Sequence, residues 1–138
     1  MAGPLSAAEA VPVAEFRAAL RGFLRTSERN SRAAGLTPQR YLLLLMIKGA
    51  HDRSERSTVT ELAERLQLAQ STVTELVSRA EEIGLVERER SSEDGRVAIL
   101  RLTPEGDRRL AQVFTSNERE RHALTRAFEQ LRSTGLPT

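Results

Sequence analysis

The sequence predicts a mainly α-helical chain with one small β-hairpin, and three observations predict it. Apolar residues recur at helical spacing along most of the 138 residues. The period changes once, between Leu85 and Leu102, to two short runs of strand type. Just before that change stand two short helices separated only by Gln67-Leu68-Ala69. Helix, tight turn, helix and hairpin in this order make a winged helix-turn-helix, here with further helices on both sides.

Residues 1–12 are mostly small side chains and read as a flexible tail. Residues 13–35 form the first helix: Val13, Phe16, Leu20, Phe23 and Leu24 share a face, Arg17, Arg21, Arg25 and Arg29 lie on others, and Gly35 ends it. Residues 36–102 make the winged lobe. Thr37 is placed to cap a second helix, with Pro38 in its first turn. The run Tyr41 to Ile47 is apolar on every side and is expected at the centre of the lobe. Gly49 stops it, and His51 to Ser57 reads as a polar loop.

Thr58-Val59-Thr60-Glu61 has the spacing of a capping box, and the short helix it opens turns Leu62, Ala63 and Leu66 inward. The fourth helix runs from about Gln70 to Ile83 and ends at Gly84. Val73, Leu76, Val77, Ala80 and Ile83 mark its inner face. Leu85–Arg90 and Val97–Leu102 are the strands, with a turn-rich segment between them. Residues 103–138 open at Thr103-Pro104-Glu105 and carry Leu110, Phe114, Leu124, Phe128 and Leu131. Thr115 to Glu118 interrupts that stripe, which fits a solvent-facing stretch, a break with Thr115 capping a new helix, or a polar dimer or ligand contact made by Asn117 and Arg121.

Composition narrows the function classes. The absence of cysteine excludes disulfides, thiolate metal sites and thiol switches within the chain. His51 and His122 lack metal-ligand spacing, so no metal or other cofactor is expected. No apolar run is long enough to span a membrane and the start lacks a secretory pattern, so a cytoplasmic location is expected. No nucleophile–base pairing, carboxylate pair or phosphate-cradling glycine loop suggests an enzyme. The cations are arginines apart from Lys48, and the sequence pI is about 9.9. Residues 57–102 nevertheless hold six arginines against nine carboxylates, a formal charge of −3.

The second helix of such a pair fits the DNA major groove, and short hydrogen-bonding side chains let it approach the base edges. Gln70, Ser71, Thr72, Thr74 and Ser78 are of that kind, and Arg79 at the edge of the face is placed for a phosphate. Glu75 on this face is a candidate acceptor from cytosine, although a solvated or intramolecular carboxylate is favoured. Cations near the hairpin tip, Arg88, Arg90 and Arg96, are candidates for the backbone or the minor groove, with Asp94 placed to hold Arg96.

The stretch VTELAERLQLAQSTVTELVSRAEEIGLVERERSSEDGRVAILRLTPEG resembles the MarR family of winged-helix regulators, and GLTPQRYLLLLMIKG extends the match upstream. The strongest pieces are TELAERL, STVTELV, GLVER, the DGR of the wing and LTPEG, so the resemblance covers about residues 36–106. It implies a homodimer joined by its first and last helices, with recognition helices in successive major grooves of double-stranded DNA. It implies minor-groove contact for Arg96 with Asp94 as its partner, and base or backbone contact for Gln70, Ser71, Thr72, Thr74, Ser78 and Arg79. It also implies a small-molecule effector, anionic or aromatic, suited to the arginine-bearing helices beside residues 41–47. Two features depart from the family pattern. Ala69 stands where a serine often caps the recognition helix, which leaves the cap to Gln70 or Ser71 or weakens it by about 1 kcal/mol. The C-terminal part is short. The expected function is therefore a transcriptional regulator, more readily a repressor, on a pseudo-palindromic operator. The alternative, favoured by the acidic middle segment, is a winged helix that binds a protein partner and no longer reads DNA.

Overall fold

The computed structural model describes residues 3–90, 93 and 95–134. Its elements are α1 (Ala7–Ala33), α2 (Pro38–Lys48), α3 (Val59–Leu66), α4 (Gln70–Glu82), β1 (Val86–Arg90), β2 (Ala98–Leu102), α5 (Pro104–Ser116) and α6 (Glu118–Ser133). They group into two compact units, residues 31–113 and residues 1–30 with 114–138. Among the described residues no helix is long and apolar enough to cross a membrane.

The first unit is the winged lobe. Leu43, Leu44 and Ile47 of α2, Leu62 of α3, Val73, Val77 and Ala80 of α4, and Leu85, Leu100 and Val113 are fully buried together. Each large apolar side chain so buried stabilises the fold by roughly 1.5–3 kcal/mol. The central helix α2 packs against α3, α4 and β2. It is not enclosed all round as its composition suggests: Leu42 is 41% exposed, and Leu45 and Met46 are half-buried. The three neighbours cover only part of its circumference.

Caps fix where these helices begin. The Thr37 hydroxyl accepts from the Arg40 amide at 3.2 Å. The Thr58 capping box is complete: its hydroxyl accepts from Glu61 N, and its own N–H donates to the Glu61 carboxylate at 2.9 Å. Arg65 of α3 donates to the carbonyls of Met46 and Gly49, at 3.2 and 2.9 Å, and so caps the end of α2. The turn between α3 and α4 closes with Gln67 in the left-handed region, φ 56°.

The strands pair antiparallel, from Val86 opposite Leu102 to Arg90 opposite Ala98. The preceding loop contributes more than expected. Ser57 is buried and exchanges backbone hydrogen bonds with Leu100, at 3.1 and 2.8 Å, forming a one-residue bridge to the hairpin. A single pairing residue has no period to read in a sequence. The start of α5 docks on the hairpin base through the T-P-E-G run. Thr103 Oγ1 donates to Gly84 O at 2.6 Å and accepts from Gly106 N at 3.0 Å, and Thr103 N donates to Leu85 O at 3.0 Å.

In the second unit α1 begins at Ala7, inside the segment that composition assigns to a tail. Ser6 and Glu9 explain the early start, since Glu9 N donates to Ser6 Oγ at 3.1 Å while Ser6 Oγ donates back to the Glu9 carboxylate at 2.7 Å. The C-terminal stripe breaks at Asn117, not through a cap by Thr115. Asn117 is fully buried, donates to Ser27 Oγ at 3.1 Å and accepts from Asn30 Nδ2 at 2.8 Å. Arg121 is not a core position: it stacks 3.9 Å over the Phe114 ring and donates to Phe114 O.

Candidate nucleic-acid interface

The outer side of α4 is a continuous polar surface. Burial of Val73, Val77 and Ala80 on the inner side leaves Gln70, Ser71, Thr72, Thr74, Glu75 and Arg79 exposed, with Ser78 half-buried. The helix period thus brings the expected groove-facing residues to one exposed side. The inner face ends sooner than expected. Ile83 is the C-cap, 46% exposed, because the helix stops at Glu82.

Ala69 is the N-cap, and no side chain takes over its role. Gln70 instead donates to Thr60 Oγ1 at 3.4 Å, and Ser71 is exposed. The first amides of α4 therefore lack a side-chain acceptor, while the helix dipole favours an anion there. No carboxylate occurs from Leu66 to Thr74. The first acid on the face, Glu75, accepts from Arg79 at 3.1 Å, one helical turn on. Of the two readings favoured for Glu75, solvated or intramolecular, the geometry gives the intramolecular one.

The arginines of the wing are placed individually. Arg88 makes a two-pronged contact to Glu81 of α4, with Nε 3.1 Å from both carboxylate oxygens and Nη2 at 2.5 Å from one. That contact pushes the Arg88 pKa further up, against a smaller opposing effect of burial. Arg90 donates to Gly95 O at 2.8 Å and so braces the turn between the strands. Arg96 is exposed in that turn, and Asp94 lies outside the described residues. Glu87 and Glu89 point to the other side of the hairpin, where Glu87 meets Arg101 at 3.0 Å and Glu89 meets Arg56 at 3.1 Å. Glu81 and Glu82 thus lie at the C-terminal end of α4 and Glu87 and Glu89 on the hairpin, while Glu61 and Glu64 belong to α3 and Glu75 to the second turn of α4.

A cleft of about 460 Å³ runs between the first turn of α2 and α4, lined among others by Thr37, Gln39, Arg40, Thr72, Glu75 and Arg79. Sequence reasoning missed Arg40, which lies thirty residues before α4. The signal was available in part: a cation in the first turn of a helix works against the dipole and invites a reason. Among the described residues no three His, Cys, Asp or Glu side chains come together as a metal site would require.

Residues 34–97 match the model of the MarR family. The Bacillus subtilis transcriptional repressor MdtR is 32% identical over 84 residues, which is 61% of this chain and 52% of that protein. The chain spans about half the length of the curated relatives it matches. Among solved structures, YusO from B. subtilis superposes with a TM-score of 0.66 at 24% identity, covering 88% of this chain and 90% of that one. A mutant of MarR from E. coli, complexed with operator DNA, also gives 0.66, at 21% identity and the same coverage.

Proposed function

We propose that this chain, whose residues 34–97 match the model of the MarR family, is a member of that family and a cytoplasmic transcriptional regulator, a repressor, that binds a pseudo-palindromic DNA duplex as a homodimer. The observation that carries the proposal is the exposed outer side of α4, acid-free from Gln70 to Thr74, uncapped at its start and followed by a hairpin with Arg96 at its tip. Gln70, Ser71, Thr72, Thr74 and Ser78 face base edges, the free amides of α4 meet a phosphate, and Arg96 enters the adjacent minor groove. Arg79, Arg88 and Arg90 serve the backbone, with Asp94 as partner of Arg96. A solved complex of the structurally similar E. coli MarR with operator DNA supports the DNA partner.

The dimer rests on apolar surface. Leu24 of α1, Phe114 of α5 and Phe128 of α6 are 52, 52 and 47% exposed, and no residue of α6 is buried. Helices that bury so little of their apolar stripe gain stability from a second copy. Residues 13–35 and 103–138 are therefore the dimerisation segments, and residues 36–102 the DNA-binding lobe. The relief of binding by a small anionic or aromatic effector belongs to the same proposal. Such a ligand acts only if it prefers one spacing of the two recognition helices, and thermal-shift screening with compounds of this class tests it.

Fluorescence anisotropy decides the main claim. The full chain is titrated onto the duplex immediately upstream of its own coding sequence and onto a scrambled duplex, at two salt concentrations. Tighter, salt-sensitive binding to the upstream duplex is expected, with Arg96→Ala weakening it while leaving the melting temperature intact. A folded dimer indifferent to both duplexes points instead to the partner-binding alternative.

A further inference from the structure

We propose that the cleft between the first turn of α2 and α4 seats a DNA backbone phosphate, held by Arg40. The inference rests on the DNA-binding reading above and adds a residue outside the helix-turn-helix pair. Arg40 is half-buried and lines the cleft, yet its guanidinium has no ion pair or hydrogen bond among the described residues. A cation partly withdrawn from water without an anion is an unmet electrostatic demand. The other charges of the cleft cancel, since Glu75 is engaged by Arg79 at 3.1 Å. The uncompensated charge there is positive, and Gln39 and Thr72 beside it are exposed hydrogen-bond donors.

The choice of a DNA phosphate over a free anion follows from position. Thr72 belongs both to the cleft and to the exposed side of α4 assigned to the groove. A helix lying in the major groove is bordered by the phosphates of the flanking strand, and contacts to them set its depth and register. The cleft therefore opens where one of those phosphates passes. Arg40 is a positioning residue: it fixes the pose from which Gln70 to Ser78 read bases.

Salt titration of the full-length protein tests this, with wild type, Arg40→Ala and Arg40→Lys on the upstream and scrambled duplexes. A lost phosphate contact weakens binding to every sequence alike and flattens the salt dependence. Arg40→Ala is expected to lose roughly fivefold or more on both duplexes. Its log–log salt slope falls by about 0.9 for each contact removed, and Arg40→Lys restores most of that slope. Arg40→Gln retains part of the stem and replaces Arg40→Ala should the alanine variant melt early. A folded variant with wild-type affinity and slope overturns the assignment. So does a loss confined to the upstream duplex, which marks base readout instead. A wild type that binds neither duplex fails the DNA-binding reading itself, and this inference with it.

Discussion

Arg79, Arg88 and Arg90 each already hold an acceptor of their own chain, and the kind of hold separates them. The Arg79–Glu75 pair is a single contact between two well-exposed side chains, 60 and 66% accessible. Such pairs contribute about 0–1 kcal/mol, so a phosphate readily replaces the carboxylate. The two-pronged grip of Glu81 on Arg88 is geometrically stronger and ties the wing to α4. Replacing Glu75 by Gln is expected to release Arg79, tighten non-specific duplex binding and steepen the salt slope by about one charge, read by anisotropy across salt. An unchanged slope would show that Arg79 stays off the backbone. Glu105 behaves differently. Hydrogen bonds from Arg108 and then Arg109 lower its carboxyl from the ordinary 4.5 to about 2. A depressed folded-state pKa contributes stability that is present above the unfolded value and is lost as pH falls through the folded one. Melting temperatures of wild type and Glu105→Gln at low salt should therefore differ at pH 5 and converge as pH drops from about 4.5 toward 2. Equal temperatures at pH 5 would show that solvent screens the contact entirely.

Among the elements, α5 is held most tightly at its start. A Cβ placed on Gly106 would lie 2.1 Å from the Leu85 carbonyl oxygen, a contact with backbone that cannot turn aside. The glycine of the T-P-E-G run is thus the close approach that lets Thr103 reach Gly84 and Leu85. Gly106→Ala is expected to cost at least about 2 kcal/mol in denaturant unfolding. A loss below about 0.5 kcal/mol would mean that α5 can slide on the hairpin base. The helix starts differ to a purpose. Side chains cap α2, α3 and α5, while α4 alone among the helices of the lobe starts on an alanine. An uncapped start gives up about 1 kcal/mol, and the proposed phosphate supplies the missing acceptor.

At the scale of the whole molecule the two units have opposite needs. The winged lobe closes a core of its own, with Leu43, Leu44, Leu62, Val77 and Leu100 inaccessible to water. Among the described residues the terminal unit packs around Asn117 with Ser27 and Asn30, where Phe16 meets Phe128 at 6.1 Å, and where Arg121 stacks on Phe114. Leu24 stays half in solvent. Leu24→Asp is expected to leave the lobe folded and to shift sedimentation toward the monomer, with a parallel loss of duplex binding. A Leu24→Asp variant that remains dimeric would move the interface away from this face of α1.

Much of the fold was legible because it is locally encoded. Thr58 and Glu61, Thr37 with Pro38, and the single change of period at Leu85 act over three to six residues, within reach of sequence reasoning. The polar side of α4 was legible for the same reason: once Val73, Val77 and Ala80 face inward, the helix period leaves Gln70, Ser71, Thr72 and Thr74 outside. Contacts between distant segments left no such trace. The bridge of Ser57 to Leu100, the burial of Asn117 against Ser27 and Asn30, the grip of Glu81 on Arg88 and the lack of a partner for Arg40 among the described residues each depend on which segments meet. Sequence by itself determined where elements begin, end and turn polar, since those follow from short-range hydrogen bonding and period. Tertiary structure alone decided which charges are neutralised and which are left for a partner, because a charge is paired by what lies near it in space.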